Sequence, residues 1–403
     1  MDKVLILNGS HSEITLIREL KKLGKYVITT GNLPGSFVHE YADEYIQADY
    51  SDMERISKIA EENNINGIVS CANDFGIITA AYVAEKMGLA GHDSFETTKL
   101  LHQKDLFKKF AIANNMQVPY SQEFDSIEGA ISKKEQIAYP VIIKPVDLTG
   151  GKGVSCVDSV GDYEKAVRMA FERSRKKVIV VEQFIEGTYH SFSTFLVNRK
   201  VIGYFCDNEY SNVYRFFVDT SAGPADDADR VKEILIEQAE LVANKLNLVN
   251  GVFHMQYVMD KNKVPYIIDI TRRCSGDIYP EPVEHATGLP WSKWIVMSEL
   301  GYPSDAFTEK GAQTKICGRH CIMAETEGIV EDVIIDERLK KYVYQDLQWW
   351  KPGMVISNHQ IDKAGILFYE FPSREVMRDM MQNIKELVCV KICGNSVAEK
   401  GTR

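Results

Sequence analysis

The sequence predicts an α/β fold with an N-terminal open parallel sheet, a small α+β lid and a mixed, strand-rich C-terminal part. Three patterns indicate this fold. Strand and helix alternate through the first part of the chain, short strands then flank one clear helix, and longer strand-like stretches follow. Regular alternation of strand and helix is typical of a parallel sheet with helices on both faces. The 403 residues are enough for about two to four packed units.

The first unit begins with an apolar run at 4–7, which a polar turn separates from an amphipathic stretch at 14–23. Further strands are predicted at 26–28 and 67–70, with a helix between them. In open parallel sheets, ligands bind at the carboxyl ends of the strands. The candidates to line a substrate cleft there are Asn8, His11, Asn73 and Asp74. The turn lacks GxGxxG, which disfavours an NAD-dependent oxidoreductase.

The rest of the chain divides into further units by its pattern of strands and helices. Strands are predicted at 141–143, 154–157, 178–182, 189–197, 200–206, 251–259, 264–270, 315–323, 365–370 and 388–393. Helices are predicted as a short pair within 94–118, and at 163–173, 229–246 and 374–386. The predicted units are 1–93 (N-terminal α/β), 94–118 (helical linker with Lys104), 119–187 (lid), 188–310 (second unit, with a metal site) and 311–403 (strand-rich).

The composition argues against several classes of protein. The net charge is −10, whereas a general nucleic-acid binder needs a basic face that displaces counterions from phosphates. The first residues lack the apolar stretch of a signal peptide, and no segment has the roughly 20 apolar residues that cross a bilayer. We therefore expect a cytoplasmic protein that binds neither nucleic acid nor membrane.

The segment from Lys144 to Gly153 has a pattern suited to phosphate binding. A strand delivers Lys144, and a loop with three glycines then supplies Thr149 and Lys152. Glycine lets the backbone approach phosphate oxygens and aim N–H groups at them, and lysine neutralises their charge. The chain then returns to a strand rather than entering a helix, so the loop is not a Walker A motif. Alone, such a turn is more often a plain hairpin.

About thirty residues further on, an apolar strand ends at Glu182 and is followed by Phe184 and Ile185. This segment suits an adenine slot, because a carboxylate accepts a hydrogen bond from the exocyclic amine and apolar walls cover the ring. Taken alone, such a segment is more often a strand with a charged end.

Two strands near residue 260 predict a metal site. On adjacent antiparallel strands, Gln256 and Asp269 are expected on one side, with Thr271 two residues further on the same face. Oxygen ligands on one face suit Mg²⁺ bound to nucleotide phosphates. Arg272 and Arg273 follow directly and should face opposite ways, so one of them can stabilise a transferring phosphoryl group or hold a carboxylate.

In this order, the segments resemble the ATP-grasp superfamily, especially carboxylate–amine ligases related to biotin carboxylase, carbamoyl phosphate synthetase, the purine-pathway ligases and bacterial amino-acid ligases. The resemblance runs from residue 1 to about residue 390. It implies that 1–93 is a pre-ATP-grasp domain and that 119–310 is the ATP-grasp fold. It also implies ATP and Mg²⁺ (or Mn²⁺) as cofactors, a small carboxylate and an amine as substrates, and a homodimer as a common assembly.

The resemblance assigns roles to individual residues. Those implied for ATP are Lys104, Lys144, Thr149, Gly150, Gly151, Lys152, Gly153, Glu182, Gln183, Phe184, Ile185 and His190. Arg273 and Lys152 are implied to be catalytic. The sequence also departs from the family pattern, because His190 stands where many members have a ribose-binding Glu. A half-buried strand histidine is the alternative for His190.

The predicted metal site departs from the family pattern as well. Family members carry Glu, then Glu-x-Asn-x-Arg, where this chain has Gln256, Asp269 and Thr271 before Arg273. One negative charge is missing, and an amide and a hydroxyl bind Mg²⁺ less strongly than carboxylates do. Weaker metal affinity, a single dominant metal ion and lost turnover are all consistent with this set.

These observations favour a ligase that activates a carboxylate as an acyl phosphate and joins it to an amine, releasing ADP and phosphate. The alternative is a non-catalytic ATP-grasp protein that binds a nucleotide or metabolite, which the weakened metal ligands suggest. The candidate substrate residues are Asn73, Asp74, Asn208, Glu209, Arg215, Arg272, Ser275, Gly276 and Asp277.

Overall fold

The N-terminal region forms a four-stranded parallel sheet in the order β3-β2-β1-β4. The structure, a computed structural model, describes residues 1–148, 153–215 and 217–393. The strands here are β1 (Lys3–Ile6), β2 (Tyr26–Thr29), β3 (Glu44–Tyr45) and β4 (Gly67–Val69), and the helices are α1 (Ile14–Lys22), α2 (Met53–Asn63) and α3 (Asp74–Met87). Short 3-10 helices lie at His11–Glu13 and Phe37–Tyr41. The expected open parallel sheet is therefore present.

Two helices connect this sheet to a small α+β unit, the lid. The helices are α4 (Phe95–His102) and α5 (Lys104–Ala113). The lid contains β5 (Ser121–Phe124), α6 (Ile127–Ser132), a 3-10 helix at Lys134–Gln136, β6 (Val141–Pro145), β7 (Ser155–Val157), α7 (Val160–Arg173) and β8 (Ile179–Gln183). Its four strands are antiparallel in the order β5-β8-β6-β7, and α7 packs its apolar face on them. Contacts of Lys104 with Leu148 and of Lys108 with Glu182 hold α5 beside the residues that follow β6 and beside β8.

An eight-stranded antiparallel sheet, the central sheet, follows in the order β13-β12-β9-β10-β11-β14-β18-β16. Its strands are β9 (Gly187–Val197), β10 (Lys200–Tyr210), β11 (Thr220–Gly223), β12 (Gly251–Asp260), β13 (Pro265–Thr271), β14 (Ile316–Ile322), β16 (Val343–Gln348) and β18 (Gly365–Phe371). A second small sheet joins β15 (Gly328–Ile335), β17 (Val355–Ile356) and β19 (Val388–Cys393). The central sheet thus continues across position 311, where a unit boundary is predicted.

Helices cover both faces of the central sheet. They are α8 (Ala228–Lys245), α9 (Pro280–Thr287), α10 (Trp291–Glu299), α11 (Glu337–Lys340), α12 (Arg374–Gln382) and α13 (Ile384–Leu387), with a 3-10 helix at Ser304–Ala306. One core packs α8 and α5 against β9 and β12. Another joins α1 and α10 to the opposite face of β9 through Ile17, Trp294 and Phe195, all buried. This second core holds the N-terminal sheet against the central sheet.

The predicted fold class is confirmed, and most predicted elements are present with shifted ends. The strand predicted at 200–206 continues to Tyr210, so Glu209 lies within a strand and shares a face with Asp207. The single helix predicted at 374–386 is two helices that meet at Asn383. The described part of the chain contains no helix with the length and apolar character needed to cross a bilayer.

Candidate active site

A cavity of about 560 Å³ lies between the lid, the linker and the central sheet. Cavities of roughly 300–1,000 Å³ are typical of small-molecule sites. Its wall combines cations, carboxylates and apolar side chains. Those discussed below are Asn73, Asp74, Lys104, Lys144, Glu182, Gln183, Phe184, Ile185, Tyr189, Glu209, Arg215, His254, Gln256, Asp269, Thr271, Arg273, Ser275, Gly276, Arg319 and Lys363.

Two lysines predicted to bind phosphates reach this cavity from different units. Lys104 begins α5 and donates from Nζ to the carbonyl oxygen of Leu148 at 3.0 Å. Lys144, on β6, lies 3.2 Å from Oε1 of Glu182 on the neighbouring strand β8. The predicted loop residues Thr149, Gly150, Gly151 and Lys152 lie outside the described residues. Gly153 has a positive φ of 74° beside Pro145, a conformation that favours glycine.

Glu182 is held between two buried lysines, one of which the sequence analysis missed. Lys108, one turn after Lys104 on α5, places its Nζ 2.8 Å from Oε2 of Glu182. Burial raises the pKa of Glu182, but the charges and hydrogen bonds of Lys108 and Lys144 lower it further than burial raises it. The carboxylate is therefore ionised, and the two lysines fix its orientation. The i, i+4 spacing of Lys104 and Lys108 on one helix face was the available signal for Lys108.

Gln183, Phe184 and Ile185 line the cavity beyond Glu182, as the hinge prediction requires. The guanidinium of Arg215 lies 5.7 Å from the centre of the Phe184 ring. At Gly187, where β9 begins, an added Cβ would overlap the carbonyl oxygen of Met259, so the close approach of β9 to β12 requires glycine there.

His190 is not among the residues that line the cavity, contrary to the prediction of a ribose contact. Its imidazole is buried, stacks on the Tyr257 ring at 5.1 Å and contacts the Thr188 hydroxyl at 2.6 Å. Successive residues of a strand face opposite sides of the sheet, and the preceding residue, Tyr189, takes the cavity side. Burial lowers the pKa of His190 to about 4, so the ring is neutral at physiological pH.

The three predicted metal ligands share one face of the sheet beside the cavity. Gln256 and Asp269 are directly paired across β12 and β13, and Thr271 is paired with His254. This set offers a carboxylate, an amide oxygen and a hydroxyl, which are the oxygen donors that Mg²⁺ accepts. The three residues therefore fit a Mg²⁺ ion, to which Asp269 would contribute the one negative charge of the set.

The adjacent arginines have different environments. Arg273 lines the cavity, and its Nε donates to Oδ1 of Asp74 at 2.8 Å. Arg272 points the other way, where its Nε donates to Asp93 Oδ2 at 2.9 Å and its Nη groups donate to the carbonyl oxygens of Val249 and Val252. The substrate prediction for Arg272 is thus wrong, because its guanidinium is buried in a structural ion pair away from the cavity.

Charged and polar residues from outside the lid also line the cavity. Of the predicted substrate residues, Asn73, Asp74, Glu209, Arg215, Ser275 and Gly276 line it, whereas Asn208 and Asp277 do not. Asn208 is buried and accepts a hydrogen bond from the backbone of Asp226. Asp277 instead pairs with Lys363 and Arg319, which do line the cavity, and with His11 at 3.1 Å. Asp277 therefore holds the side chains of Arg319 and Lys363 in position without lining the cavity itself.

Arg319 and Lys363 come from β14 and the residues before β18, so they were not predicted as site residues. Arg319 is buried, and its Nε has no hydrogen-bond partner among the described residues. An unpartnered buried guanidinium N–H is costly, which marks the position as suited to an anionic group. No local sequence motif predicts that Arg319 is a site residue, because only the pairing of β11 with β14 brings it to the cavity.

The surroundings of Glu209 and His254, which both line the cavity, shift the pKa values of their side chains. Burial, together with the nearby Asp207 carboxylate, raises the pKa of Glu209 to about 8. Burial and the charges of Arg273 and Arg319 lower the pKa of His254 to about 3. The imidazole of His254 is therefore neutral at physiological pH in this structure.

Comparison with known proteins places this geometry in a family. The family model described as "Carbamoyl-phosphate synthase L chain, ATP binding domain" matches residues 103–305, just over half of the chain. The chain is 25% identical over 349 residues to the formate-dependent phosphoribosylglycinamide formyltransferase of Methanocaldococcus jannaschii, covering 84% of this chain and 85% of that protein. It is 22% identical over 249 residues to the carbamoyl phosphate synthase large chain of Campylobacter jejuni, covering 60% of this chain but only 22% of that one.

A solved structure agrees with these matches. The L-amino acid ligase from Bacillus licheniformis superimposes with a TM-score of 0.80 at 18% identity, covering 98% of this chain and 99% of that one. At that identity the likeness shows the fold alone, while the family match covers the second linker helix, the lid and the paired strands of the predicted metal site. The chain therefore belongs to the carbamoyl-phosphate synthase L chain ATP-binding family, within the ATP-grasp superfamily.

Proposed function

We propose that this protein is an ATP-dependent ligase that activates a small-molecule carboxylate as an acyl phosphate and joins it to an amine. One observation carries the proposal: Lys144, Asp269 and Arg273, from three different segments, line a single cavity of about 560 Å³. These are a cation for phosphates, an oxygen ligand for a divalent ion and a guanidinium for a transferring group. The formyltransferase and amino acid ligase to which the chain is similar support this class of reaction.

In the proposed first step, a carboxylate oxygen of the acid attacks the γ-phosphorus of ATP. The bond from that phosphorus to the β–γ bridging oxygen breaks, and ADP leaves. Lys104 and Lys144 neutralise the triphosphate, and Arg273 stabilises charge on the transferring group. Gln256, Asp269 and Thr271 would hold Mg²⁺, which would supply further positive charge beside the phosphates.

In the second step, the amine nitrogen attacks the carbonyl carbon of the acyl phosphate, inorganic phosphate leaves, and the nitrogen loses a proton. No side-chain nucleophile is needed. Arg319 and Lys363 line the same cavity from outside the lid and offer positive charge to an anionic part of the substrates. The lid covers the site and limits water, which would otherwise hydrolyse the acyl phosphate.

The experiment is a screen for ADP release from ATP with pools of small acids and amines, in Mg²⁺ and in Mn²⁺. We expect ADP release that requires one acid and one amine together, and a matched loss in Asp269→Asn. Release that is independent of any acid, or equal in Asp269→Asn, would contradict the ligase proposal.

A second candidate is a non-catalytic protein that binds nucleotide or metabolite. The observation that favours it is the metal site, where Asp269 is the one carboxylate among Gln256, Asp269 and Thr271. Tight ATP binding measured by calorimetry, with no ADP release across the whole pool, would favour this candidate over the ligase.

A further inference from the structure

The amide of Gln256 is held by a carboxylate two strands away. Its Nε2 donates to both carboxylate oxygens of Glu209, at 3.0 and 2.8 Å. Gln256 is on β12 and Glu209 on β10, with β9 between them. The β9 residue opposite Gln256 is Ser191, whose short side chain leaves room for the two longer side chains to meet above it.

This contact sets the direction of the amide. A glutamine side chain has a donor end and an acceptor end, and the carboxylate takes the donor end. In the strand order β13-β12-β9-β10, Glu209 lies on one side of Gln256 and Asp269 lies on the other. Oε1 is therefore left free to face the Asp269 side, where a cation needs an oxygen.

Orientation matters more for an amide than for a carboxylate. If the Gln256 amide rotates by half a turn, it presents N–H groups to the cation instead of an oxygen. A glutamate at position 256 presents oxygen either way, but its charge would lie beside the Glu209 carboxylate. Residues behind a metal ligand commonly fix its orientation in this manner.

We propose that Glu209 is a positioning residue that turns the Gln256 amide oxygen toward the divalent cation, so that the two positions act as a coupled pair. The inference rests on the proposed nucleotide–metal site and adds a residue to it. The pairing also gives a physical reason for glutamine at position 256, because an acid there would face Glu209 without a cation between them.

The test measures Mn²⁺ binding to the full chain with ATP, from the electron paramagnetic resonance signal of free Mn²⁺. We expect Glu209→Gln to weaken Mn²⁺ binding by about tenfold or more, a typical effect for a residue that orients a metal ligand. The matched control is Glu62→Gln, which removes an exposed carboxylate paired with Lys58 on α2.

The decisive arm repeats Glu209→Gln in a Gln256→Glu background. There we expect the substitution to leave Mn²⁺ binding nearly unchanged, because a carboxylate at position 256 presents oxygen in either orientation and no longer needs orienting. A loss in both backgrounds would make Glu209 a direct ligand and overturn the positioning role, as would no change in the wild-type background. If the wild-type protein itself binds no Mn²⁺ with ATP, both the metal site and this inference fail. Thermal unfolding of each variant identifies any that do not fold.

Discussion

Nε of Arg273 donates a hydrogen bond to Oδ1 of Asp74 at 2.8 Å, joining the end of β13 to the start of α3. His102 contacts the same oxygen at 3.2 Å. Burial raises the pKa of Asp74, but the charge of Arg273 and the contact with His102 outweigh burial and hold the pKa well below its usual range. The N-terminal region thus contributes, from the start of α3, a carboxylate that orients the cavity arginine.

We expect Asp74→Asn to lower ADP formation while leaving ATP binding nearly unchanged. A hydrogen bond between charged groups is worth about 1.5–3 kcal/mol, and about 1.4 kcal/mol corresponds to tenfold, so the loss of turnover should be roughly tenfold or more. Turnover is measured as ADP release and affinity by calorimetry. Equal losses in both would show that Asp74 supports the fold of the site rather than the arginine.

The same pair predicts a pH dependence of stability. Because the folded-state pKa of Asp74 is lowered, its contribution is fully present above the unfolded value of about 3.9 and is lost as pH falls through the lower folded pKa. The difference in unfolding free energy between wild type and Asp74→Asn should therefore be the same at pH 6 and pH 8. It should shrink below about pH 4, and a difference that instead changes between pH 6 and 8 would contradict this pairing.

Substitutions of the two adjacent arginines should affect activity and stability differently. Arg273→Ala is expected to keep ATP binding and lose most ADP formation. Arg272→Ala is expected to destabilise the fold by about 3–5 kcal/mol, since it leaves the buried Asp93 carboxylate unpaired. Urea unfolding and ADP release on both variants test the contrast, which fails if Arg273→Ala proves the less stable of the two or retains full turnover.

Lys108 should matter for nucleotide binding although it is not one of the predicted ATP ligands. In Lys108→Met, Glu182 keeps Lys144 as a partner but loses its 2.8 Å ion pair, and Lys144 is drawn toward Glu182. We expect weaker ATP binding, measured by calorimetry. Lys109→Met, which breaks an exposed pair with Glu123 on the same helix, is the control, and an equal effect of the two variants would remove the role of Lys108.

The sequence alone was enough to predict those elements whose residues lie close together in the chain. The Lys144 strand, the Glu182 hinge and the Gln256–Asp269 pair were predicted, since each depends on local strand pattern. Arg319 and Lys363 were not, because they reach the cavity only when β14 and β18 join the far side of the central sheet. His190 was misplaced for a different reason: a one-residue step along a strand reverses the face, and Tyr189 occupies the cavity side.

The most direct measurement is a calorimetric titration of the full chain with Mg²⁺ and a non-hydrolysable ATP analogue, compared with Lys144→Ala and Asp269→Asn. If the lid lysine and the sheet carboxylate surround one triphosphate, the wild-type protein binds one analogue per chain and both variants bind it more weakly. Wild-type binding that neither variant weakens, or no binding at all, would contradict the central claim.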